Sequence, residues 1–542
     1  MGIYLNPGNA AFSEAVHSQI YVDKTELISY TNNVLATNQK NICVSRPRRF
    51  GKSITANMLA AYYSKGCQSD TLFKDRKISC SKDYKKYLNT YTTIFLNIQE
   101  FLSRSSNVEE LIQRIRRSLM REIRREYPTI DFYDELDLTE NMKEIYAETN
   151  EPFIIIIDEW DCIFREYAED KAAQERYLDF LRDFLKDKAH IHLAYMTGIL
   201  PIKKYGTHSA LNMFDEFSMA NPGVLAQYVG FTENEVRCLC SDYQMDLAEI
   251  KEWYDGYRFG NVDVYCPWDV INFCSDHLAD PGLEPKNYWA NTSGNSVISH
   301  FIDSVGKPQK LTRMELEQLV NGGIVQKEIN FELTYKELYS SIDNLWSTLF
   351  MTGYLTQRGE PSGNRYNLVI PNREIRNIIT NHILKMFKEN VKDDGKTVSD
   401  LCDALLNQNP EKVELIFTEY MKKTISIRDT FARKPTKENF YHGLLLGILG
   451  FKENWSVMSN RESGDGFGDI LIRIEDEDVG IVIEVKYADD GNLQGECEKA
   501  LQQIIDIRYT EALEQEGIHT IIKYGIACYR KKCKVLMRID KQ

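Results

Sequence analysis

Gln39-Lys40-Asn41-Ile42-Cys43-Val44-Ser45-Arg46-Pro47-Arg48-Arg49-Phe50-Gly51-Lys52-Ser53-Ile54 is the stretch that decides how the first half of the chain folds. Residues 39–45 read as a short strand, and Ala56, Met58 and Leu59 set helical spacing over 51–65. A strand, a tight loop and a helix are the parts needed to wrap a phosphate in backbone N–H groups. Lys52 would reach the β and γ oxygens, and the Ser53 hydroxyl would reach Mg²⁺. The bare pattern asks for glycine at position 46, where this chain has Arg46. Arg48 and Arg49 read equally as phosphate contacts and as a solvated loop.

Further strands read at 93–98 and 191–197, and helices at 108–127 and on through Leu185. Strands separated by helical stretches predict a parallel α/β sheet. Phe153-Ile154-Ile155-Ile156-Ile157 is apolar throughout, as in a strand covered on both faces, and it ends in Asp158-Glu159. Carboxylates at that strand end stand where open α/β sheets bind ligands. Asp158 is expected to hold Mg²⁺ and Glu159 to polarise an attacking water. Thr197 reads either as a sensor of the γ-phosphate or as a turn cap beside Gly198. The expected ATP-binding set is Arg46, Pro47, Arg48, Arg49, Phe50, Gly51, Lys52, Ser53, Ile54, Asp158 and Thr197, with Ser53 and Asp158 on the metal.

Five motifs share one resemblance. Tyr21-Val22-Asp23-Lys24-Thr25, Ser45 to Ser53, Ile157-Asp158-Glu159-Trp160-Asp161, Trp253-Tyr254-Asp255-Gly256-Tyr257-Arg258-Phe259-Gly260 and Tyr288-Trp289-Ala290-Asn291-Thr292-Ser293 resemble the AAA-ATPase-like family of bacterial proteins. The resemblance covers roughly residues 1–295. In that family Arg-Pro-Arg-Arg-Phe-Gly-Lys-Ser is the usual form of the loop, so Arg46 is no departure from it.

A second constellation lies near the end: Gly468-Asp469-Ile470, then Ile483-Glu484-Val485-Lys486. Phosphodiester cleavage needs carboxylates to hold Mg²⁺ beside the scissile phosphate and a lysine to orient water. Asp469 begins one strand and Glu484 ends the next. A hairpin centred between Asp476 and Glu477, in the charged turn Glu475 to Asp478, sets them opposite each other. Glu484 and Lys486 then share a face by the period of two. A surface hairpin with polar ends is the bland alternative, but the apolar Ile481-Val482-Ile483 favours a half-buried site.

Residues 431–542 run helix, strand, strand, strand, helix, strand, strand. This order resembles the PD-(D/E)XK nuclease superfamily, in particular the branch fused to AAA-ATPase-like domains. The resemblance implies catalytic roles for Asp469, Glu484 and Lys486, with Asp469 and Glu484 as metal ligands. It makes Glu438 a supporting carboxylate and Gln503 a helix contact to the site. Glu462 matches a recurrent family position. Relatives often carry Arg two residues before the first Asp, where this chain has Phe467.

The 542 residues are 43% hydrophobic and 27% charged, with a net charge of −14, which predicts a folded multidomain chain and argues against a histone-like basic coat. Residues 431–542 carry 16 Lys plus Arg against 19 Asp plus Glu, although Lys531, Lys532, Lys534 and Arg538 cluster. Arg114, Arg116, Arg117, Arg121, Arg124 and Arg125 crowd one helix. They read first as a solvated face balanced by Glu109, Glu110, Glu122 and Glu126, and second as a phosphate-binding surface. His442 and the aromatic residues of 253–268 read first as structural. The twelve cysteines form no CxxC pair, which fits reduced thiols and not a zinc site. With no signal peptide and no spanning segment read, a cytoplasmic protein off the membrane is expected.

The expected layout is a P-loop core at 1–230, a helical or winged-helix-like lid at 231–295, a helical connecting region at 296–430 and a nuclease-like mixed α/β domain at 431–542. The expected function is ATP binding and hydrolysis joined to Mg²⁺-dependent cleavage of DNA, with Mn²⁺ able to substitute. Two alternatives stay open. One is a nucleotide-controlled homo-oligomeric switch that binds nucleic acid without cutting, and the other is a nuclease acting on RNA.

Overall fold

The structure is a computed structural model. It describes residues 2–132, 134, 136–200, 211–289, 298, 301, 315–316, 318–320, 322–331, 333, 337–338, 340–380, 382, 395–424, 434–449, 452, 455–459, 470–474, 478–506, 513 and 518–541. The chain forms two compact units, residues 1–297 with 324–377, and residues 298–323 with 378–542.

The first unit is built on a five-stranded sheet. Its strands are β1 (Asn41–Ser45), β2 (Thr92–Asn97), β3 (Phe153–Asp158), β4 (Ile191–Gly198) and β5 (Asp215–Phe217), in the order β2-β3-β4-β1-β5. Every pairing in it is parallel. Phe153 to Ile157 are all fully buried, as an all-apolar strand in a parallel sheet covered on both faces must be. Helix α1 (Lys52–Tyr63) follows the loop after β1, and α2 (Val108–Glu126) carries the arginines. A short helix, α3 (Cys162–Glu166), and a longer one, α4 (Lys171–Leu185), lie between β3 and β4.

Beyond the sheet, strands β6 (Phe231–Thr232), β7 (Tyr257–Phe259) and β8 (Val262–Tyr265) form a small antiparallel sheet. It stands with helices α5 (Glu233–Tyr243), α6 (Leu247–Tyr254) and α7 (Pro267–Ala279) around a core of Val236, Ile250, Trp253, Tyr254, Tyr265 and Phe273. Trp253, Tyr254, Tyr257 and Tyr265 are thus core residues. Gly256 has φ 99°, and a Cβ there would meet the Pro371 carbonyl oxygen at 1.9 Å, so only glycine fits this motif position. The Tyr21–Thr25 motif is a brace. Asp23 accepts from the backbone N–H of Lys77 (2.7 Å), and Thr25 Oγ1 accepts from that of Ile78 (3.1 Å). Lys24 pairs with Glu235 of α5 at 2.5 Å.

The region expected to be helical between 296 and 430 also contains strands. β9 (Val325–Glu328), β10 (Thr356–Gln357) and β11 (Arg365–Val369) make a three-stranded antiparallel sheet in the order β10-β11-β9. These strands are two to five residues long, too short for a clear period-two signal.

The second unit contains helices at Gly395–Leu406 and Pro410–Thr424, then α8 (Lys434–Leu449). Its sheet runs β12-β13-β14-β15-β16, from β12 (Trp455–Ser459), β13 (Ile470–Ile474), β14 (Val479–Tyr487), β15 (Thr520–Tyr529) and β16 (Lys532–Lys541). Only β14 and β15 pair in parallel, and α9 (Leu493–Asp506) supplies the crossover that such a pair needs. Ile470, Ile472, Ile481 and Ile483 pack with Tyr441, Leu444 and Leu445 of α8. Leu471 and Val482 pack on the other face with Ile504 of α9. Among the described residues no helix is long and apolar enough to cross a membrane. All twelve cysteines carry free thiols.

Candidate nucleotide site and candidate phosphodiesterase site

Four adjacent strands of the first unit carry polar residues at one edge of the sheet: Asn97, Asp158 and Ser45 end β2, β3 and β1, and Thr197 is the last residue but one of β4. Asn97 stands in register with Asp158, and Val44 with Thr197. The loop after β1 turns through two left-handed residues, Arg49 (φ 72°) and Gly51 (φ 86°), before α1 begins at Lys52. Its N-terminus therefore opens beside those strand ends.

Lys52 is buried, and its Nζ donates to the carbonyls of Arg46 (3.0 Å) and Pro47 (2.8 Å). Burial draws its pKa below the ordinary lysine value, while Glu159, Asp161 and Asp158 oppose the shift. Asp158 is 1% exposed. It accepts from the Thr197 hydroxyl, from Ser53, and from Asn97 Nδ2 at 3.5 Å. Burial pushes its pKa up, and the bonds from Thr197 and Ser53 hold it down. Thr197 Oγ1 also faces the Glu159 N–H at 3.4 Å, so one hydroxyl ties both carboxylate-bearing residues to β4. Glu159 sits at φ 54° and receives Arg165 Nη2 on Oε2 at 2.7 Å.

The remaining loop side chains divide. Arg46 is fully buried, donates to the carbonyls of Ser45 (3.0 Å) and Phe217 (2.6 Å), and lies 4.6 Å from the Phe259 ring centre. Burial pulls its pKa down to about 9. The structure thus places the guanidinium of Arg46, one of the residues of the expected ATP-binding loop, in the core. Phe50 is buried edge-on to Tyr257 at 5.0 Å. Pro47 is buried as well, Arg48 and Arg49 are half-buried, and Ile54 is 46% exposed. Arg49 stacks on Trp268 at 4.2 Å. Asn97 and Arg165 stand at this site unnoticed in the sequence, and Asp161, quoted there within a motif, was given no role. A polar residue closing a β-run would have pointed to Asn97, and the i,i+4 spacing to the Asp161–Arg165 pair.

In the second unit Glu484 is 5% exposed, and Lys486 Nζ lies 2.7 Å from its Oε1. Burial pushes the Glu484 pKa up, Lys486 draws it down, and Glu438 raises it further. Glu438 stands on α8, and its Oε1 accepts from the Tyr487 N–H at 3.2 Å, which ties the helix to the end of β14. Gln503 is half-buried on α9. Ile470 pairs with Ile483 in the register that the expected hairpin requires. Asp469, Glu462, Phe467 and the turn at 475–477 lie outside the described residues. Among the described residues no group of three or more His, Cys, Asp or Glu converges as a metal site.

The arginine helix is partly neutralised by its own neighbours. Arg114 pairs with Glu110 at 2.6 Å, Arg176 of α4 pairs with Glu109 at 2.8 Å, and Arg116 lies over the Phe180 ring. Lys534 pairs with Glu414 at 3.0 Å.

Comparison with known proteins finds a family match over each of the two regions. Residues 9–207 match the family described as predicted AAA-ATPase, and residues 436–537 match the PD-(D/E)XK nuclease superfamily. An uncharacterized protein in the vnfD 5' region of Azotobacter chroococcum mcd 1 is 22% identical over 419 residues, covering 74% of this chain and 73% of that protein. The solved structure of the Aeropyrum pernix ORC2 protein, in its ADPNP–ADP complexes, overlaps 68% of this chain and 98% of its own at 11% identity and a TM-score of 0.30. The chain carries a predicted AAA-ATPase domain toward its N-terminus and a PD-(D/E)XK nuclease superfamily domain toward its C-terminus.

Proposed function

We propose that the first unit binds and hydrolyses ATP and that the second cleaves DNA with Mg²⁺, for which Mn²⁺ can substitute. The observation that carries the ATPase reading is the row Asn97, Asp158, Thr197 and Ser45 beside the start of α1. Lys52 and the loop N–H groups bind the β- and γ-phosphates. Ser53 and Asp158 already meet through a hydrogen bond, so a hydroxyl and a carboxylate stand together as a Mg²⁺ donor set. Bound Mg²⁺ offsets charge on the phosphate oxygens. Glu159 polarises the attacking water, and Thr197 orients Asp158.

For the second unit, Glu484 and Lys486 side by side on β14, with Glu438 held at the same strand's end, support a metal-assisted hydrolase. Glu484 and Asp469 are the proposed ligands, Lys486 orients the nucleophilic water, Glu438 supports and Gln503 contacts the site. The twelve free thiols support a cytoplasmic setting.

One experiment tests the reading. Supercoiled, linear, single-stranded and branched DNA, and RNA, are incubated with the full chain and Mg²⁺ or Mn²⁺, with and without ATP. ATP turnover is followed in parallel. Cleavage of DNA that is lost in an Asp469→Ala, Lys486→Ala variant supports the nuclease. Turnover lost in Lys52→Ala and Glu159→Gln supports the ATPase. Cleavage of RNA alone corrects the polymer. Binding without cleavage under every condition replaces the nuclease with a nucleotide-controlled, homo-oligomeric binding protein.

A further inference from the structure

We propose that Arg165 is a positioning residue that holds Glu159 for its work on the attacking water, an inference that rests on the ATPase reading above. Arg165 lies on α3, just beyond the strand that ends in Asp158. Its Nη2 donates to Glu159 Oε2 at 2.7 Å, and its Nη1 donates to Asp161 Oδ1 at 2.9 Å. Asp161 is fully buried. Its other oxygen, Oδ2, accepts from the backbone N–H of Ile199 (2.8 Å) and of Leu200 (3.2 Å), the residues that follow β4. The guanidinium is therefore clamped against a carboxylate that is itself fixed to the sheet, and Arg165 passes that fixity to Glu159.

An isolated surface ion pair contributes little and orients little. This one differs because its second carboxylate is immobile, and because arginine presents its two Nη groups in one rigid plane. The side chains keep 17% exposure at Arg165 and 25% at Glu159, so the pair is shielded while water still reaches the carboxylate. Arg165 Nη2 meets Glu159 at Oε2 and also lies 3.5 Å from Gln99 Oε1. The backbone of Glu159 at φ 54° is costly for a residue with a Cβ, and it is held there from below by Thr197 Oγ1 at 3.4 Å. Backbone and carboxylate are thus constrained from two directions, and displacement of a catalytic group by about 1 Å can cost about 100-fold in rate.

The test compares ATP turnover and ATP affinity of the full chain in wild type, Arg165→Ala, Arg165→Lys, Glu159→Gln and the double variant Arg165→Ala, Glu159→Gln. Arg165→Ala is expected to lower kcat about 100-fold with ATP affinity held within about twofold, and Arg165→Lys to fall between. Adding Arg165→Ala to Glu159→Gln is expected to lower kcat no further, because Arg165 acts through Glu159. A role confined to anchoring Asp161 would instead give additive losses, and that result overturns the inference. An unchanged or raised kcat in Arg165→Ala overturns it too, the latter marking a latch. If the alanine variant fails to fold, Arg165→Lys with and without Glu159→Gln makes the same comparison. A wild-type chain that turns over no ATP overturns the ATPase reading and takes this inference with it, whereas turnover indifferent to Arg165 overturns the inference alone.

Discussion

Thr197 and Asp158 stand near the ends of neighbouring parallel strands, and the Thr197 hydroxyl donates to a carboxylate oxygen of Asp158. The bond lowers a pKa that burial raises. Thr197 therefore favours the ionised form of Asp158, and it is ionised carboxylate that holds a metal.

Removing that hydroxyl has a predictable sign. Thr197→Ala lets the Asp158 pKa rise further, so the acid limb of ATP turnover moves to higher pH. Thr197→Ser, which keeps the donor, leaves the limb in place. The pH dependence of kcat/KM for the three proteins is the check. Identical acid limbs would mean that the bond does not tune Asp158.

Glu484 makes the opposite trade between stability and chemistry. Its pKa is raised above the ordinary 4.5, chiefly by burial. The folded state then binds its proton more tightly than the unfolded state, so this group lowers stability as pH rises from about 4.5 upward. Glu484→Gln is expected to stabilise the second unit at pH 8 by roughly 1 kcal/mol while abolishing cleavage. The gain should fade as pH falls toward 4.5 and the wild-type carboxyl takes up its proton. Calorimetry without metal at both pH values decides it, and a variant less stable at pH 8 would show that the bond to Lys486 outweighs the desolvation.

Much of this was legible before any coordinates, for reasons that can be named. Phe153 to Ile157 can be buried on both faces only as a central strand, and the charged step to Asp158-Glu159 marks where that strand leaves the core. The hairpin register was legible because strand geometry fixes it once the turn is located, and Ile470 does pair with Ile483. The burial of the Arg46 guanidinium was not legible, because a charged loop residue is usually solvated. Only the fold brings the Phe217 carbonyl and the Phe259 ring to it. Arg165 stands at i,i+4 spacing from Asp161, but its role was hidden because the backbone N–H groups of Ile199 and Leu200 that fix Asp161 are brought to it only by the fold.

Glu122 shows the same kind of hidden partner. Buried on α2, it accepts from the backbone N–H groups of Ile3 (3.0 Å), Tyr4 (2.9 Å) and Leu5 (2.8 Å). A carboxylate with three backbone donors is a charge-assisted clamp. Glu122→Ala leaves those donors without it and is expected to destabilise the first unit by roughly 2–3 kcal/mol. Hydrogen exchange resolves the claim locally: the amides of Ile3, Tyr4 and Leu5 should lose protection first, and unchanged protection there would refute the clamp.

The last prediction concerns a buried acid pair in the first unit. Asp269, on α7, and Glu374 are both fully buried and hydrogen-bonded to each other. Glu374 Oε1 also accepts from the Trp289 N–H at 2.7 Å. Two carboxylates in one dry site cannot both ionise cheaply. Burial and then Asp269 hold Glu374 well above the ordinary carboxylate range, while Arg49 favours charge on Asp269. At neutral pH Glu374 is therefore the proton donor of the pair. Its folded pKa lies above the unfolded one, so it destabilises the fold progressively as pH rises from 4.5. Glu374→Gln keeps a donor toward Asp269 without a titratable proton, so the variant should match wild type near pH 5 and melt higher at pH 9. Glu374→Leu removes the donor and strands Asp269 in the core, which should cost about 3–5 kcal/mol at neutral pH. Melting curves of the three proteins across that range test the assignment. A glutamine variant that destabilises as much as leucine would mean that Glu374 works as a charged group.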